Sequence, residues 1–173
     1  RVSSVYKDTE LVKKMVNQQA ELVSLIIGPI SVILIVFAPL IVKLLLSQEF
    51  LIMVPFLRLL AMTLLFKGIW LIMSYIILAN GDKKAYLIYD SLIGNGFLFL
   101  SNILSYKFLG LNGLVISSFF TCLFVAIILT IVVKSKYNVF VDKKFTKVFI
   151  IIMAIIFLTY ANVSIFTGII QYC

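Results

Sequence analysis

The chain alternates long apolar runs with short polar breaks. Five runs, 22–46, 55–79, 85–106, 111–133 and 148–170, contain few polar residues and are 25, 25, 22, 23 and 23 residues long. About 20 mostly apolar residues are enough to cross the hydrocarbon core of a bilayer. Lipid offers the backbone no hydrogen-bond partner, so a spanning segment must satisfy its own N–H and C=O groups. Runs this long and this uniformly apolar do so as helices rather than as barrel strands. The pattern predicts an all-α polytopic membrane protein with five transmembrane helices. Residues 1–21 have a different rhythm, in which Val2, Val5, Val12, Met15 and Val16 recur among Lys7, Asp8, Lys13, Lys14, Asn17 and Gln18. This predicts an amphipathic helix lying in the cytoplasmic interface. The cytoplasmic end of a preceding transmembrane helix would show the same pattern.

Composition agrees with the runs. Hydrophobic residues make up 63% of the chain, charged ones 13%, and the mean hydropathy is +1.18. A soluble domain carries about 25% charged residues to cover its core, and this chain lacks them. Histidine is absent, which excludes a His-based triad, an imidazole relay and a His-containing zinc site. Two cysteines, Cys122 and Cys173, are too few for a metal knuckle or a disulfide framework. No cofactor is expected.

The net charge of +8 sorts by side once the runs alternate across the membrane. Arg1, Lys7, Lys13 and Lys14, then Lys83 and Lys84, then Lys134, Lys136, Lys143, Lys144 and Lys147 fall on one face. Lys43 and Lys107 mark the other. The positive-inside rule makes the first face, with the N-terminal segment, cytoplasmic. The basic excess is thus a topology signal, and no nucleic-acid partner is expected. The opening arginine and the odd number of runs predict a piece of a longer chain, with a further helix after Cys173.

Charges inside the runs are the candidates for chemistry, since an ionised side chain at mid-bilayer costs roughly 2.5–3.5 kcal/mol on insertion scales. Lys67 is at the middle of the second run, and Thr63, Trp70 and Ser74 share its helical face. This stripe is expected to line a water-filled cavity in which Lys67 attracts an anionic substrate group. A lysine paired with a carboxylate or carbonyls for packing is the alternative. Arg58 begins the same run and is expected to snorkel to the outer headgroups. Nine residues separate it from Lys67, about half a rotation, so a straight helix cannot aim both into one cavity. Asp90, near Lys83 and Lys84, reads as an interfacial salt bridge or a helix N-terminal charge rather than as a proton-coupling carboxylate. Ser91, Asn95 and Asn102 share a face beside Gly94 and Gly96, which fits interhelical hydrogen bonding or cavity lining. Gly113, Ser117 and Thr121 form a small-residue seam for another helix, and Glu21, Ser24, Gly28 and Ser31 form a second face. Gly28-Pro29 and Ala38-Pro39 are expected bend points.

A membrane-embedded polysaccharide polymerase would need paired carboxylates or a basic cluster on a sizeable loop. The connectors 47–50 and 107–110 are short, and the largest, 134–147, holds one acid, Asp142. Serial spans with sparse mid-membrane polar residues fit a transporter better, and the chain is not expected to be an enzyme.

Specific segments carry a family likeness. The run NQQAELVSLIIGPISVILIVFAPLIVKLLLSQEF at 17–50, then PFLRLLAMTLLFKGIWLIMSYIILANGDKKAYLIYD at 55–90 and YKFLGLNGLVISSFF at 106–120, resembles the bacterial oligosaccharide flippases. These are the O-antigen and polysaccharide exporters of the multidrug/oligosaccharidyl-lipid/polysaccharide exporter superfamily. The likeness covers about residues 11–140 and implies the C-terminal lobe of a two-lobe transporter of about 12–14 helices in the bacterial inner membrane. It further implies translocation of an undecaprenyl-pyrophosphate-linked oligosaccharide by alternating access, driven by a proton or sodium gradient or by the membrane potential. In that setting Lys67 matches a cavity cation suited to pyrophosphate, with Arg58 second and Trp70, Ser74, Asn95 and Asn102 as companions. A multidrug antiporter of the same superfamily, expelling organic cations, is the nearest alternative.

Overall fold

The computed structural model describes residues 9–139 and 142–171, with side chains from 14 to 139 and from 142 to 165. Every regular element among them is helical. In order they are α1 (Thr9–Val36), α2 (Ala38–Leu45), a 3-10 turn (Gln48–Met53), α3 (Val54–Ala79), α4 (Lys83–Tyr86), a π-helical stretch (Leu87–Gly96), α5 (Phe97–Tyr137) and α6 (Lys143–Gln171). The expected interfacial segment lies within the described residues only from Thr9 onward, where it is continuous with the first span in α1. Of the two expected bends, the helix runs on through Pro29, whereas Phe37 separates α1 from α2 just before Pro39.

Among the described residues, four stretches are long and apolar enough to cross a membrane: Lys14–Val36, Gln48–Ala79, Lys83–Tyr137 and Lys143–Ile165. The third has 55 residues, which as a straight helix would measure about 80 Å against a hydrocarbon core of about 30 Å. It doubles back instead. At Gly110 the backbone takes φ 60° and ψ −141°, a region closed to residues with a Cβ. Side chains some twenty positions apart then meet: Ser101 and Thr121 share a hydrogen bond of 3.1 Å, Ser117 and Ser118 both donate to Asn102, and the rings of Phe97 and Phe124 are 5.7 Å apart. The two arms are therefore antiparallel neighbours. The small-residue seam allows this approach, since a Cβ on Gly113 would sit 2.1 Å from the carbonyl oxygen of Ser105. The expected third and fourth spans are thus one helical hairpin with no loop between them.

The face of α1 bearing Ser24, Gly28 and Ser31 packs inward. Ser24 and Ser31 are buried, and a Cβ on Gly28 would lie 2.8 Å from the Ile152 side chain on α6. Leu44, Ile52, Leu92 and Phe108 are each more than 70% exposed, the outward apolar surface that a bilayer requires.

Both bundle ends are polar, and they differ. At one end Lys136 reaches Asp82 at 2.6 Å, Lys144 reaches Glu21 at 2.9 Å, and the Asp142 backbone N–H donates to the Asn17 side chain at 2.8 Å. The turn from α3 into α4 is closed there by Gly81 at φ +74°, and the Asp82 carboxylate caps α4 through the Ala85 N–H. The basic residues assigned by sequence to one face, so far as they are described, gather at this end. Lys43 and Lys107 belong to the opposite end, with Gly110.

Candidate functional site

The mid-membrane stripe on α3 and the π-helical stretch face one another. Along α3, Lys67, Trp70 and Ser74 follow at three- and four-residue intervals and so share a face. Opposite them, the wider i to i+5 turn of Leu87–Gly96 brings Asp90 and Asn95 onto one side. Single π turns inside α-helices are frequent at functional positions, and this one extends over ten residues.

Asp90 is the centre of the arrangement. It is buried, and its carboxylate accepts from the Trp70 indole Nε1–H at 2.7 Å and from the Ser74 hydroxyl. The Asn95 amide donates to the Asp90 carbonyl oxygen at 3.0 Å and lies 3.4 Å from the second carboxylate oxygen. The Tyr86 hydroxyl also faces it. These donors satisfy the buried carboxyl oxygens in place of water. Lys67 supplies the balancing charge at one remove: its ammonium lies 3.3 Å above the Trp70 ring centroid, within electrostatic reach of Asp90 and of the Cys122 thiol. A cation over an indole face is stabilised by the ring quadrupole. The indole thus joins the two charges, its edge N–H to the anion and its face to the cation. Trp70 is 1% exposed, and a Cβ on Gly94 would stand 2.6 Å from its Cζ2, so the glycine leaves the space that the ring fills.

This geometry corrects several expectations. Asp90 is not an interfacial salt-bridge partner of Lys83 or Lys84; neither lysine pairs with it among the described residues, and its partners come from α3 and from Asn95. The expected open, cavity-lining stripe is largely covered. Trp70 and Ser74 are buried beneath the π-helical stretch, and only Lys67 remains half-buried. Thr63 turns back on its own helix to the Leu60 carbonyl. Arg58 does not snorkel: it is 5% exposed and donates from Nε to the Ile35 carbonyl oxygen at 3.2 Å. It lies in a different cluster from Lys67, as the nine-residue spacing requires. Asn95 and Asn102 part company, the first at Asp90 and the second inside the α5 hairpin with Ser117 and Ser118.

Sequence reasoning named Asp90 and Gly94 but did not bring them to Trp70. A signal was present in the glycine pair, Gly94 and Gly96, beside an acid and an amide five residues apart. That spacing is on opposite faces of an α-helix but on one face of a π turn.

No cluster of three or more potential metal-ligating side chains occurs among the described residues. Elsewhere, a groove of about 690 Å³ runs between α1 and α3 past Leu22, Ile27, Leu71 and Tyr75. A polar recess of about 390 Å³ at the basic end is lined by Lys14, Asn17, Glu21, Asp142 and Lys144. The central arrangement sets a carboxylate at the edge and an ammonium on the face of one indole, with the ammonium still able to donate hydrogen bonds.

Compared with known proteins, residues 1–55 match the family model described as polysaccharide biosynthesis protein. The match ends where α3 begins, so it covers α1, α2 and the 3-10 turn but not the central site. No curated protein and no solved structure matches the chain.

Proposed function

We propose that the chain forms part of a membrane transporter that moves a lipid-linked, pyrophosphate-bearing oligosaccharide between leaflets, and that Lys67 holds its anionic group. The polysaccharide-biosynthesis match over residues 1–55 and the apolar helices support the general class. The lipid-linked substrate and the two-lobe, alternating-access mechanism come from the resemblance to oligosaccharide flippases. The basic end faces the cytoplasm in this reading, under the positive-inside rule.

One observation carries the role of Lys67. Its half-buried ammonium, midway along α3, makes no hydrogen bond or salt bridge among the described residues and rests only on the Trp70 ring. A cation held at this depth by a ring face keeps its N–H donors for an incoming oxyanion. An organic-cation antiporter is less well served, because the one nearby carboxylate, Asp90, is already occupied by protein donors.

The test is Lys67→Ala in the full-length protein in cells. Surface polysaccharide should fall and lipid-linked precursor should accumulate at unchanged protein level, with partial rescue by Lys67→Arg. Normal export by Lys67→Ala at normal expression would overturn the assignment.

A further inference from the structure

Helix α6 meets the rest of the bundle along one face. Phe145, Phe149, Ile156 and Tyr160, at helical spacing, turn into the two clusters that it shares with α1 and α3, and α6 is the least buried of the four membrane-long stretches among the described residues. The opposite face follows a second rhythm. Val148, Ile151, Ile155, Leu158, Asn162 and Ile165 recur at alternating intervals of three and four, and Ile151, Ile155, Leu158 and Ile165 are each about half exposed or more. This is the heptad of a two-helix seam. The β-branched Val148 and Ile155 alternate with Ile151 and Leu158, and one asparagine takes an inner position. Lys144, next on the same line, is held by Glu21 of α1 at 2.9 Å, so the seam begins at Val148 and lies wholly past the basic end.

Asn162 is the residue on this face that lipid cannot satisfy. It stands about 22 Å along the helix from Lys147, inside a hydrocarbon core of about 30 Å. One amide N–H turns back to the Leu158 carbonyl oxygen at 2.9 Å. The side-chain oxygen and the second N–H have no partner among the described residues, and acyl chains offer none. A partner helix has to bring both a donor and an acceptor to that depth.

We propose that this face of α6 is the contact surface for a second copy of the chain, in a two-fold dimer whose two Asn162 amides bond each other. Every copy inserts with its basic end on the same side of the membrane. A closed pair therefore has its axis along the membrane normal, and its two α6 helices run parallel. Asn162 then meets Asn162 at the same depth with no adjustment of register. An amide is both donor and acceptor, so each N–H reaches the other's Oδ1. A single asparagine at an inner heptad position is also what fixes register and oligomer state in paired helices. Ala154 and Ala161, on one flank of the seam, leave room for the helices to approach. Nothing in this contact involves Lys67, Trp70 or Asp90, so the pair forms whether or not Lys67 holds an anion.

The test uses the full-length protein in native membranes, with its own cysteines replaced by alanine. Leu158 is 61% exposed on the seam and Phe157 is 60% exposed one position away but off it, so the two make matched cysteine probes. Under mild oxidation Leu158→Cys should give a covalent dimer and Phe157→Cys should not. In proteoliposomes progressively diluted with lipid, single-molecule photobleaching should count two labelled copies per spot for the wild type. Asn162→Val, which keeps the span apolar and able to insert, should need a roughly tenfold higher protein-to-lipid ratio for the same dimer fraction. Asn162→Gln, which retains an amide, should fall between the two. Equal cross-linking by both probes, or none by Leu158→Cys, overturns the pair. If the cysteine of Leu158→Cys is also shielded from a lipid-soluble maleimide, a helix from elsewhere in the same protein covers the seam instead. Dimerisation that is indifferent to Asn162→Val overturns the amide bond on which the pairing turns.

Discussion

Arg58 on α3 donates from Nε to the carbonyl oxygen of Ile35 on α1 at 3.2 Å, and Pro39 is the reason that oxygen is available. In a continuous helix the Ile35 carbonyl would accept from the N–H of residue 39, four positions on. Proline has no N–H. The chain bends at Phe37, α2 restarts with Pro39 in its first turn, and the orphaned carbonyl is met by a guanidinium from the neighbouring helix. Ile35 is fully buried and Arg58 nearly so, so water cannot take the arginine's place. Tyr160, packed beside Ile35 in the same cluster, acts electrostatically on the guanidinium.

Arg58→Ala should therefore lower stability by about 1.5–3 kcal/mol, the range for a lost hydrogen bond to a charged group. Pro39→Ala restores a backbone donor to Ile35, so part of that loss should disappear in the Arg58→Ala, Pro39→Ala double variant. A thermal-unfolding cycle in detergent measures the interaction. Strict additivity of the two substitutions would show that the arginine does not serve this carbonyl.

At Gly110 the strain is in the backbone and not in packing. Nothing lies within 4 Å of where a Cβ would stand, yet φ is +60° with ψ −141°. Gly110→Ala should cost on the order of 1–3 kcal/mol from conformation alone and loosen the hairpin. The readout is a disulfide in the Ser101→Cys, Thr121→Cys double variant, at positions whose native hydroxyls are 3.1 Å apart. The bond should form readily with Gly110 in place and slowly once Gly110→Ala is added. Equal rates of formation would show that the backbone at Gly110 does not hold the two arms together.

The helical class and the clustering of basic residues at one bundle end were legible in the sequence because both follow from bulk physics. Long apolar runs must be helices in lipid, and lysines sort by side. The placement of individual polar residues was not legible, because it depends on how one helix is rotated against another. Arg58 was read from its depth in the run, but depth says nothing of a carbonyl orphaned on a different helix by Pro39. Asp90 was read as interfacial because Lys83 and Lys84 are near in sequence. The π-helical winding of residues 87–96 turned it inward, and no α-helical periodicity anticipates that. The Lys67, Trp70 and Ser74 stripe was found because it lies on an ordinary α-helix. What covers it was not, because the cover comes from the segment with irregular winding.

The Asp82 carboxylate ties the α3–α4 turn to the end of α5, accepting from Lys136 at 2.6 Å, from the Ala85 N–H at 3.0 Å and from the Tyr137 hydroxyl at 3.0 Å. The lysine bond, then the backbone and tyrosine bonds, hold its pKa down at about 2. A depressed carboxylate stabilises the fold above its unfolded value, near 3.8, and loses that contribution as pH falls toward 2. Asp82→Asn should thus unfold earlier than wild type at pH 7, and the gap should close between pH 4 and pH 2. Because the carboxylate is exposed, the gap at pH 7 should also narrow in high salt. A gap that persists unchanged at pH 2 would show that the carboxylate's charge is not what joins the turn to α5.

The two glycines of the π-helical stretch should respond oppositely to alanine. At Gly94 the new methyl would stand 2.6 Å from Trp70 Cζ2, and the ring, 1% exposed, has nowhere to retreat. Relief requires the indole to swing away, which breaks its 2.7 Å bond to Asp90. Overpacking of a buried site costs about 1–3 kcal/mol, and a lost bond to a charged acceptor adds a similar amount. At Gly96 the nearest atom to the new methyl is the Ser91 carbonyl oxygen at 3.8 Å, an ordinary contact. Removing a helical glycine there should instead stabilise by roughly 0.5–1 kcal/mol through the unfolded chain. Gly94→Ala should therefore lower the melting temperature and shift Trp70 emission, whereas Gly96→Ala should raise the first and leave the second unchanged. Equal effects from the two substitutions would mean that the close approach of Gly94 to Trp70 does not hold the indole in place against Asp90.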